Sequence, residues 1–581
     1  MGKKNKQPQP NKPVKQSPQP VSKKTWLIAG GIILVTLLCY IPLFDNDFLK
    51  TWDDMAYVTN NELIKDLSAN GIARIFKEDG GLYANYHPLT TLSLALNYHE
   101  GVTPFPFQFT NLLLHLLNTA LVFVFIYLLS DKKIIIATLV SLWFGVHPMH
   151  VESVAWISER KDVLYTFFFL TGLITYWRYI TSNFALKWYI LTMLLFALSM
   201  LSKAMAASFP VVLLCVDYLV KRKFNIRLIA EKIPFVAYAI VMGIIAIKMQ
   251  AAGNATTALT FPAFSRLLHA SYGFTMYISK MLVPTGLSAF YPYPYPLTNS
   301  YWNIDIIPSE LYTTFAVTLA IVAAVVYIAV KKTFLSRWIL FGTGFYLASI
   351  ALVLQYFPVG RAIISDRYSY VPYIGLFCII GAFIQHYITS SDTKQMGKIL
   401  LCAAGIYSLV LCYKTYRQVQ VWKNDDTLWS NTIKKYPGDN RVVLSYFNRA
   451  SYYYMQNKFD AALNDFLVIS EQNSKDDNVM VRIGTIYGQQ KNDLNNAIVY
   501  FRKAYEVNPQ NTEALKYLAT AYGLKGDFTS SLAYAQEAIK LSPNDPDLYI
   551  NAAVSLHNLG KVEEEAIYKN KAEELKRQRG N

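Results

Sequence analysis

The chain has 581 residues, 53% of them hydrophobic and 16% charged. Its mean hydropathy of +0.22 exceeds that of an ordinary soluble domain and excludes a purely soluble or a disordered chain. The formal charge of +16 does not point to nucleic acid, because residues 1–25 alone hold seven lysines and no acid and lie directly before an apolar run.

Residues 1–25 interleave lysine with Pro, Gln, Asn and Ser and read as a disordered basic cytoplasmic leader. The apolar run 26–44 reads as a first membrane span. It is long and lacks a small-residue cleavage site before Asp45-Asn46-Asp47, which argues against a removed signal peptide. With the leader inside, loop 45–108 is exported. Spans follow at about 111–129, 134–150, 163–180, 187–201 and 204–220, and Lys221-Arg222-Lys223 with Arg227 forms a basic internal loop. A second basic turn, Lys331-Lys332 with Arg337, is also internal, so one of the three apolar candidates 233–249, 267–283 and 312–330 cannot cross. The weakest is 267–283, where His269, Lys280 and the stripe Ser271, Thr275, Ser279 form a polar face suited to an interfacial or re-entrant helix. Spans at 338–357, 369–388 and 398–413 complete about eleven crossings and leave the tail exported.

From Trp422 onward the composition turns polar and a period of 34 to 35 residues appears. Small residues recur at Ala450, Gly484, Ala519 and Ala553, tyrosines follow at Tyr453, Tyr487 and Tyr522, and Ala462, Ala497 and Ala538 mark second helices. Pro509 and Pro543 close two units. This spacing resembles the tetratricopeptide repeat, with about four units after a half-repeat. The expected fold class is therefore all-α. A polytopic transmembrane bundle occupies 26–413, a connector and half-repeat 414–436, and a helical solenoid 437–581, whose concave face suits an extended polypeptide.

The loops of unusual polar content all fall on the exported side of this topology. They are W-D-D at 52–54, Y-H-P-L at 86–89, H-P-M-H-V-E-S-V-A-W-I-S-E-R-K-D at 147–162, S-K-A-M-A at 202–206 and R-A-I-I-S-D-R-Y-S-Y-V-P at 361–372. Charge kept beside a bilayer is costly unless it serves a pathway or a site. Asp53 and Asp54 can accept a proton from an incoming hydroxyl, although such a pair also begins helices as a cap. Glu159, Arg160, Lys161 and Asp162, with Lys203, Arg361 and Arg367, gather cations able to grip phosphate oxygens; snorkelling basics are the plain alternative. Cations on the exported side run against the positive-inside rule, which favours the phosphate reading for the set. His147, His150 and Glu152, with His87, have metal-ligand residue types. Pro148 interrupts the histidine pair and no second H-x-x-H or Cys pair supports it, so these side chains orient the loop or hydrogen-bond a sugar. The alternation Y-P-Y-P-Y-P from Tyr291 to Pro296 favours an extended aromatic wall, either a sugar or peptide platform or a rigid interfacial linker. No phosphate-loop, dinucleotide or nucleophile-elbow motif stands in a suitable context, which disfavours nucleotide hydrolysis and serine hydrolase chemistry.

Taken together, W-D-D-M after the first span, the long motif continuing to K-D-V-L, L-S-K-A-M-A, D-R-Y-S-Y-V-P and the C-terminal repeats resemble the transmembrane and tetratricopeptide-repeat O-mannosyltransferases over nearly the whole chain. That family is similar in its membrane half to protein O-mannosyltransferases and other GT-C enzymes. The resemblance implies a GT-C bundle and a polyprenyl-phosphate hexose, mannose, as donor on the exported side. It also implies a catalytic acid in the first exported loop, a role that falls on Asp53 or Asp54, with Asp53 favoured as the residue after Trp52. Arg160, Lys161, Lys203, Arg361 and Arg367 are then expected at the donor phosphate. His87, His147, His150, Glu152, Glu159, Asp366 and Tyr368 are expected at the substrates, and a divalent metal is not indicated. The expectation is an inverting glycosyltransferase acting on Ser or Thr of an exported protein held by the repeats. Alternatives are a GT-C enzyme with a glycan or lipid acceptor and a non-enzymatic membrane-anchored repeat scaffold. A transporter is disfavoured because charge within the spans is scarce. The leader and modest length suggest a bacterial inner membrane with the catalytic loops and repeats periplasmic, or the ER membrane facing the lumen in a eukaryote. An array of about four repeats is shorter than relatives can carry and does not imply a cadherin-type acceptor.

Overall fold

The computed structural model of the chain describes residues 22–78, 85–98, 102–252, 261–294, 308–331, 333–356, 360–473 and 475–579. The basic leader up to residue 21, Lys332, and Tyr295-Pro296 of the Tyr-Pro run lie outside them. The described residues are helical throughout, with one isolated antiparallel bridge between Pro292 and Ala362.

Among the described residues seven helices are long and apolar enough to cross a membrane: Lys23–Asp45, Phe105–Leu129, Ile226–Met249, Ser309–Val330, Phe334–Val353, Pro372–Thr389 and Lys394–Val421. Their large apolar side chains are widely exposed, among them Leu34, Leu117, Ile247, Val326 and Leu409, as a lipid-facing surface requires. The pair Ile134–Val146 and Pro148–Ala155 forms an eighth candidate, bent by 51° at Pro148, whose ring cannot continue the helix ladder. Arg160–Thr181, Leu186–Ser202 and Ala204–Leu219 fill the remaining expected spans. These three are shorter or open on charged residues, so length and composition alone give seven or eight crossings rather than eleven.

Helix Ala263–Leu282 departs from its expected placement. The sequence puts its polar stripe on the membrane surface, yet His269, Ser271 and Lys280 are buried while Phe264, Leu267 and Leu282 are exposed. The polar face is satisfied inside the protein: Thr275 Oγ1 meets Thr318 Oγ1 at 3.1 Å, and Lys280 Nζ donates to the Thr285 carbonyl at 3.1 Å. An apolar surround offers those groups no partner, so they turn inward.

Two bundle helices approach closely at a glycine pair. A Cβ on Gly342 would lie 2.3 Å from the Gly375 carbonyl oxygen, and one on Gly375 would lie 2.4 Å from that of Gly342. Small residues allow such backbone contact between spans.

Helix Lys394–Val421 continues beyond the expected boundary at 413, so the connector is helical to Val421. Helix Asp425–Lys435 follows, opened by a capping box of Asn424 and Thr427. Four antiparallel helix pairs complete the tail: Val443–Met455 with Phe459–Gln472, Asp477–Thr485 with Leu494–Val507, Thr512–Leu524 with Phe528–Leu541, and Pro546–Asn558 with Val562–Arg579. Asp476, Asp493, Asn511, Asp527 and Asp545 cap successive helices through their side chains, which fixes each boundary. The periodic Ala450, Ala462, Ala497, Ala519 and Ala538 are fully buried between helices.

The tail meets the segment after the first span. The Asp47 N–H donates to the Lys423 carbonyl at 2.7 Å, and Asn46 Nδ2 donates to that of Val419 at 3.4 Å. Both therefore lie at one face of the bundle, which requires an odd number of crossings before the tail. Gly375→Ala should lower the thermal stability of the detergent-solubilised protein by about 1–3 kcal/mol, whereas Gly405→Ala, whose added methyl would meet nothing within 4 Å, should not. Equal melting of the two variants would remove the helix contact as the cause.

Candidate active site

At this face the segments singled out by sequence converge. The loop before Met55 brings two adjacent carboxylates with different surroundings. Asp54 is buried, and its Oδ1 accepts from the Ser158 N–H at 3.0 Å and the Ser158 hydroxyl at 2.5 Å, while its Oδ2 accepts from the Leu49 N–H at 3.0 Å. It staples its own loop to the segment Ile157–Glu159. Burial still pushes its carboxyl up to about 6 against those hydrogen bonds. Asp53 is half-buried, and no hydrogen bond or ion pair among the described residues engages its carboxylate. Burial raises its pKa; Lys161 and Arg367 counter that effect and Glu159 adds to it.

Glu159 sits at the centre of the charge cluster. One carboxylate faces Lys161 Nζ at 3.2 Å, Lys203 Nζ at 3.3 Å and Arg367 Nε at 3.3 Å. Burial alone would raise its pKa, but the three cations together hold it well below the usual carboxylate range. Lys203 also binds Asp162 Oδ1 at 2.6 Å, and Asp162 Oδ2 accepts from the Ser153 hydroxyl at 3.1 Å. Arg367 forms a close ion pair with Glu152, whose Oε2 also accepts the Arg367 N–H at 3.2 Å. Five carboxylates, Asp53, Asp54, Glu152, Glu159 and Asp162, thus surround three cations, Lys161, Lys203 and Arg367. Aromatic rings line the cations: Arg367 lies 4.8 Å from the Tyr368 ring and 5.5 Å from that of Trp156, and Lys161 lies 4.9 Å from that of Tyr57. His87 joins through Tyr57, with Nε2 3.2 Å from the phenol oxygen.

Several expected residues lie elsewhere. Arg160 is fully buried, and its guanidinium is consumed by Asn111, the Ser93 hydroxyl at 2.8 Å, Asn97 at 2.8 Å and the Phe107 carbonyl at 2.8 Å. It ties three helices together and has no donor left for a phosphate. His147 and His150 are also fully buried, facing the carbonyls of Met281 at 3.1 Å and Phe144 at 2.8 Å; they orient backbone rather than reach a sugar. Asp366 is buried, accepts from the Tyr291 hydroxyl at 2.6 Å and faces Lys280 and Lys435, with Arg367 and Glu152 at the edge of the cluster also within electrostatic reach. Arg361 is exposed. Tyr291 and Tyr293 are buried, so the described part of the Tyr-Pro run is a packed linker and not an open platform. Among the described residues no group of three His, Cys, Asp or Glu is arranged to hold a metal.

Sequence reasoning missed the part played by Ser158, although it stands within the quoted motif beside the expected charges. It also missed a tryptophan stack: Trp52 lies 4.1 Å from Trp156 and 4.9 Å from Trp429, centroid to centroid. Trp429 belongs to the tail, and nothing in the spacing links it to residue 52.

The repeat tail and the chain as a whole are each similar to known proteins. Residues 490–568 match the family model described as anaphase-promoting complex, cyclosome, subunit 3. Among solved structures, a crystal structure of MamA is 15% identical with a TM-score of 0.25, over 26% of this chain and 87% of that one. That of YrrB, titled a TPR protein with an unusual peptide-binding site, is 14% identical with a TM-score of 0.24, over 34% of this chain and 91% of that one. The chain is 25% identical over 442 residues to protein O-mannosyl-transferase F38B6.6 of Caenorhabditis elegans, covering 71% of this chain and 58% of that protein. It is 23% identical over 572 residues to protein O-mannosyl-transferase TMTC3 of Homo sapiens, covering 91% and 58%, and 28% identical over 236 residues to TMTC4 of Homo sapiens, covering 36% and 31%. The chain therefore spans less than two thirds of the length of these relatives. The curated relatives that it resembles along its membrane half and into its repeats are protein O-mannosyl-transferases.

Proposed function

We propose that the chain is an inverting O-mannosyltransferase of GT-C type that moves mannose from a polyprenyl-phosphate carrier to Ser or Thr of an exported polypeptide. The observation that carries this reading is the contrast between two neighbouring carboxylates, Asp54 fully committed to the fold and Asp53 uncommitted beside Lys161 and Arg367. In the proposed step the Asp53 carboxylate takes the proton of the acceptor hydroxyl. The hydroxyl oxygen forms a bond to the anomeric carbon on the face opposite the phosphate, the bond from that carbon to the phosphate oxygen breaks, and polyprenyl phosphate leaves with the electron pair. Asp53 then gives its proton to water. One carboxylate suffices because phosphate, unlike a sugar alkoxide, leaves without a general acid.

Lys161, Lys203 and Arg367 are the cations proposed to hold the donor phosphate, with Arg361 at the rim and Arg160 withdrawn. Glu159 keeps them gathered when no donor is present. His87, Glu152 and Tyr368 line the same cluster and remain proposed substrate neighbours. An acceptor segment has a matching surface in the tail, a cavity of about 410 Å³ across three first helices, lined by Phe447, Tyr454, Val481, Arg482, Glu513 and Tyr517. By this reading the cluster and the repeats face the periplasm or ER lumen.

Mass spectrometry of exported proteins from cells with and without the chain tests the activity, and loss of a hexose from Ser or Thr is the expected result. Asp53→Asn should lower kcat by about 10² or more while binding of polyprenyl-phosphate mannose persists; full transfer by that variant would move the base elsewhere. Because burial raises the Asp53 pKa and the base acts ionised, kcat should fall as pH drops through a value above the usual aspartate range. A profile flat down to pH 4 would contradict this. Arg160→Gln should cost about 2–4 kcal/mol of stability through the stranded Asn111 and Asn97 partners and leave donor affinity per folded molecule unchanged, whereas Lys161→Met should weaken donor binding at little cost in stability.

A further inference from the structure

The loop that carries Asp53 is held from two sides, and one of them is the tail. Its own Asp54 caps the Leu49 N–H. The next two backbone amides are capped by Asp425, the first residue of helix Asp425–Lys435 and fully buried: the Lys50 N–H donates to its Oδ2 at 2.8 Å and the Thr51 N–H to its Oδ1 at 3.0 Å. The Thr51 hydroxyl also donates to Asp425, and it accepts the Trp429 indole N–H at 3.1 Å. Trp52 is then fixed between Trp156 and Trp429. Residues 49 to 51 are thereby pinned through the backbone, Trp52 through its ring and Asp54 through its carboxylate, and Asp53 is the carboxylate of the run that no hydrogen bond or ion pair among the described residues engages. A carboxylate accepting consecutive backbone N–H groups fixes the peptide planes between them as well as their position.

We propose that Asp425, about 370 residues downstream of the base, is a positioning residue for the transfer reaction: by capping the Lys50 and Thr51 amides it sets where the Asp53 carboxylate stands against the Lys161 and Arg367 pair. The inference rests on Asp53 being the base. Removing the Asp425 carboxylate leaves two part-buried amides and a hydroxyl without that acceptor, so the loop rearranges to hydrate them and Asp53 moves with it. A displacement near 1 Å at a reacting group costs on the order of 10²-fold in rate. The bundle and the tail are on this view one catalytic unit, since the half-repeat completes the site before any acceptor arrives.

The test uses the full chain in lipid nanodiscs, with polyprenyl-phosphate mannose as donor and a synthetic Ser/Thr peptide as acceptor. Asp425→Ala is expected to lower kcat by about 10- to 100-fold with the donor KM within about twofold, and to speed amide hydrogen exchange in segment 47–54. It should also move the acid limb of the kcat profile to lower pH, because water reaching a loosened Asp53 reverses the burial that raises its pKa. The other charged and titratable groups facing Asp53, namely Asp54, Tyr57, Glu159, Lys161 and Arg367, are unchanged. Asp425→Asn keeps the acceptor facing Thr51 and loses the one facing Lys50, so it should recover part of the rate; it carries the test if the alanine variant does not fold. A merely structural role predicts activity that scales with the folded fraction and an acid limb that does not move, and that result overturns the proposal. If Asp53→Asn keeps full activity, the base assignment and this inference fall together; if Asp53→Asn is inactive while Asp425→Ala has normal kcat and pH profile, the inference falls alone.

Discussion

Glu159 is the interaction on which the rest of the site depends. Three cations gathered beside a bilayer repel one another and are costly to desolvate, and a single carboxylate contacting all three offsets both costs. The contacts reach Lys161 on the following helix, Lys203 after helix Leu186–Ser202 and Arg367 before helix Pro372–Thr389, so one side chain ties together segments from three parts of the bundle. Glu152 and Asp162 complete the pairing at the edges. The surrounding carboxylates outnumber the cations, so a phosphate entering the cluster must share cations already engaged by Glu159 and Glu152. Such sharing suits a singly charged phosphodiester better than a free phosphate, which carries more charge into the same acidic surround.

The two aspartates show how neighbouring residues of one type acquire different tasks. Adjacent side chains on a helical turn are rotated by about 100° from one another, and here one carboxylate turns inward to three donors while the other lies beside the cations. The inward member makes the outward one useful, because a base on an untethered loop would lose the orientation on which proton transfer depends. Arg160 and Arg367 divide in the same manner. The first is enclosed by neutral acceptors that exhaust its fork, and the second by carboxylates and rings, close enough to Asp53 to favour its ionised form.

Much of this is legible in the sequence, for identifiable reasons. The spans are visible because lipid imposes apolar length, the repeats because stacked helices require small residues at a fixed period, and the cluster because charge is rare near a membrane. What is not legible is direction. The stripe of Ser271 and Lys280 is equally polar whether it faces headgroups or protein, and the tertiary partner at Thr318 decides. Likewise Arg160 and Lys161 are adjacent cations in one motif, and only the packing of Asn97 and Asn111 around the first separates their roles. The clasp of Asp425 on the loop has no local signal at all, since an acidic residue in the first turn of a helix is already explained by the helix dipole.

The expected boundary at residue 413 has a related explanation. A helix of 28 residues is about 42 Å long at 1.5 Å per residue, while the hydrocarbon core spans about 30 Å. The apolar sequence ends where the helix leaves the lipid, and the helix itself continues for two more turns. Those turns are polar and are gripped by the bundle: Lys414 Nζ donates to the Pro284 carbonyl at 3.1 Å, the Thr415 hydroxyl to that of Val146 at 2.6 Å, and the Val419 carbonyl accepts from Asn46. A flexible linker at this point would let the repeats wander relative to the membrane. The helix instead runs to Val421, four residues short of Asp425, and so brings that carboxylate to the height of the loop it caps, which links the span and the clasp to the proposed base.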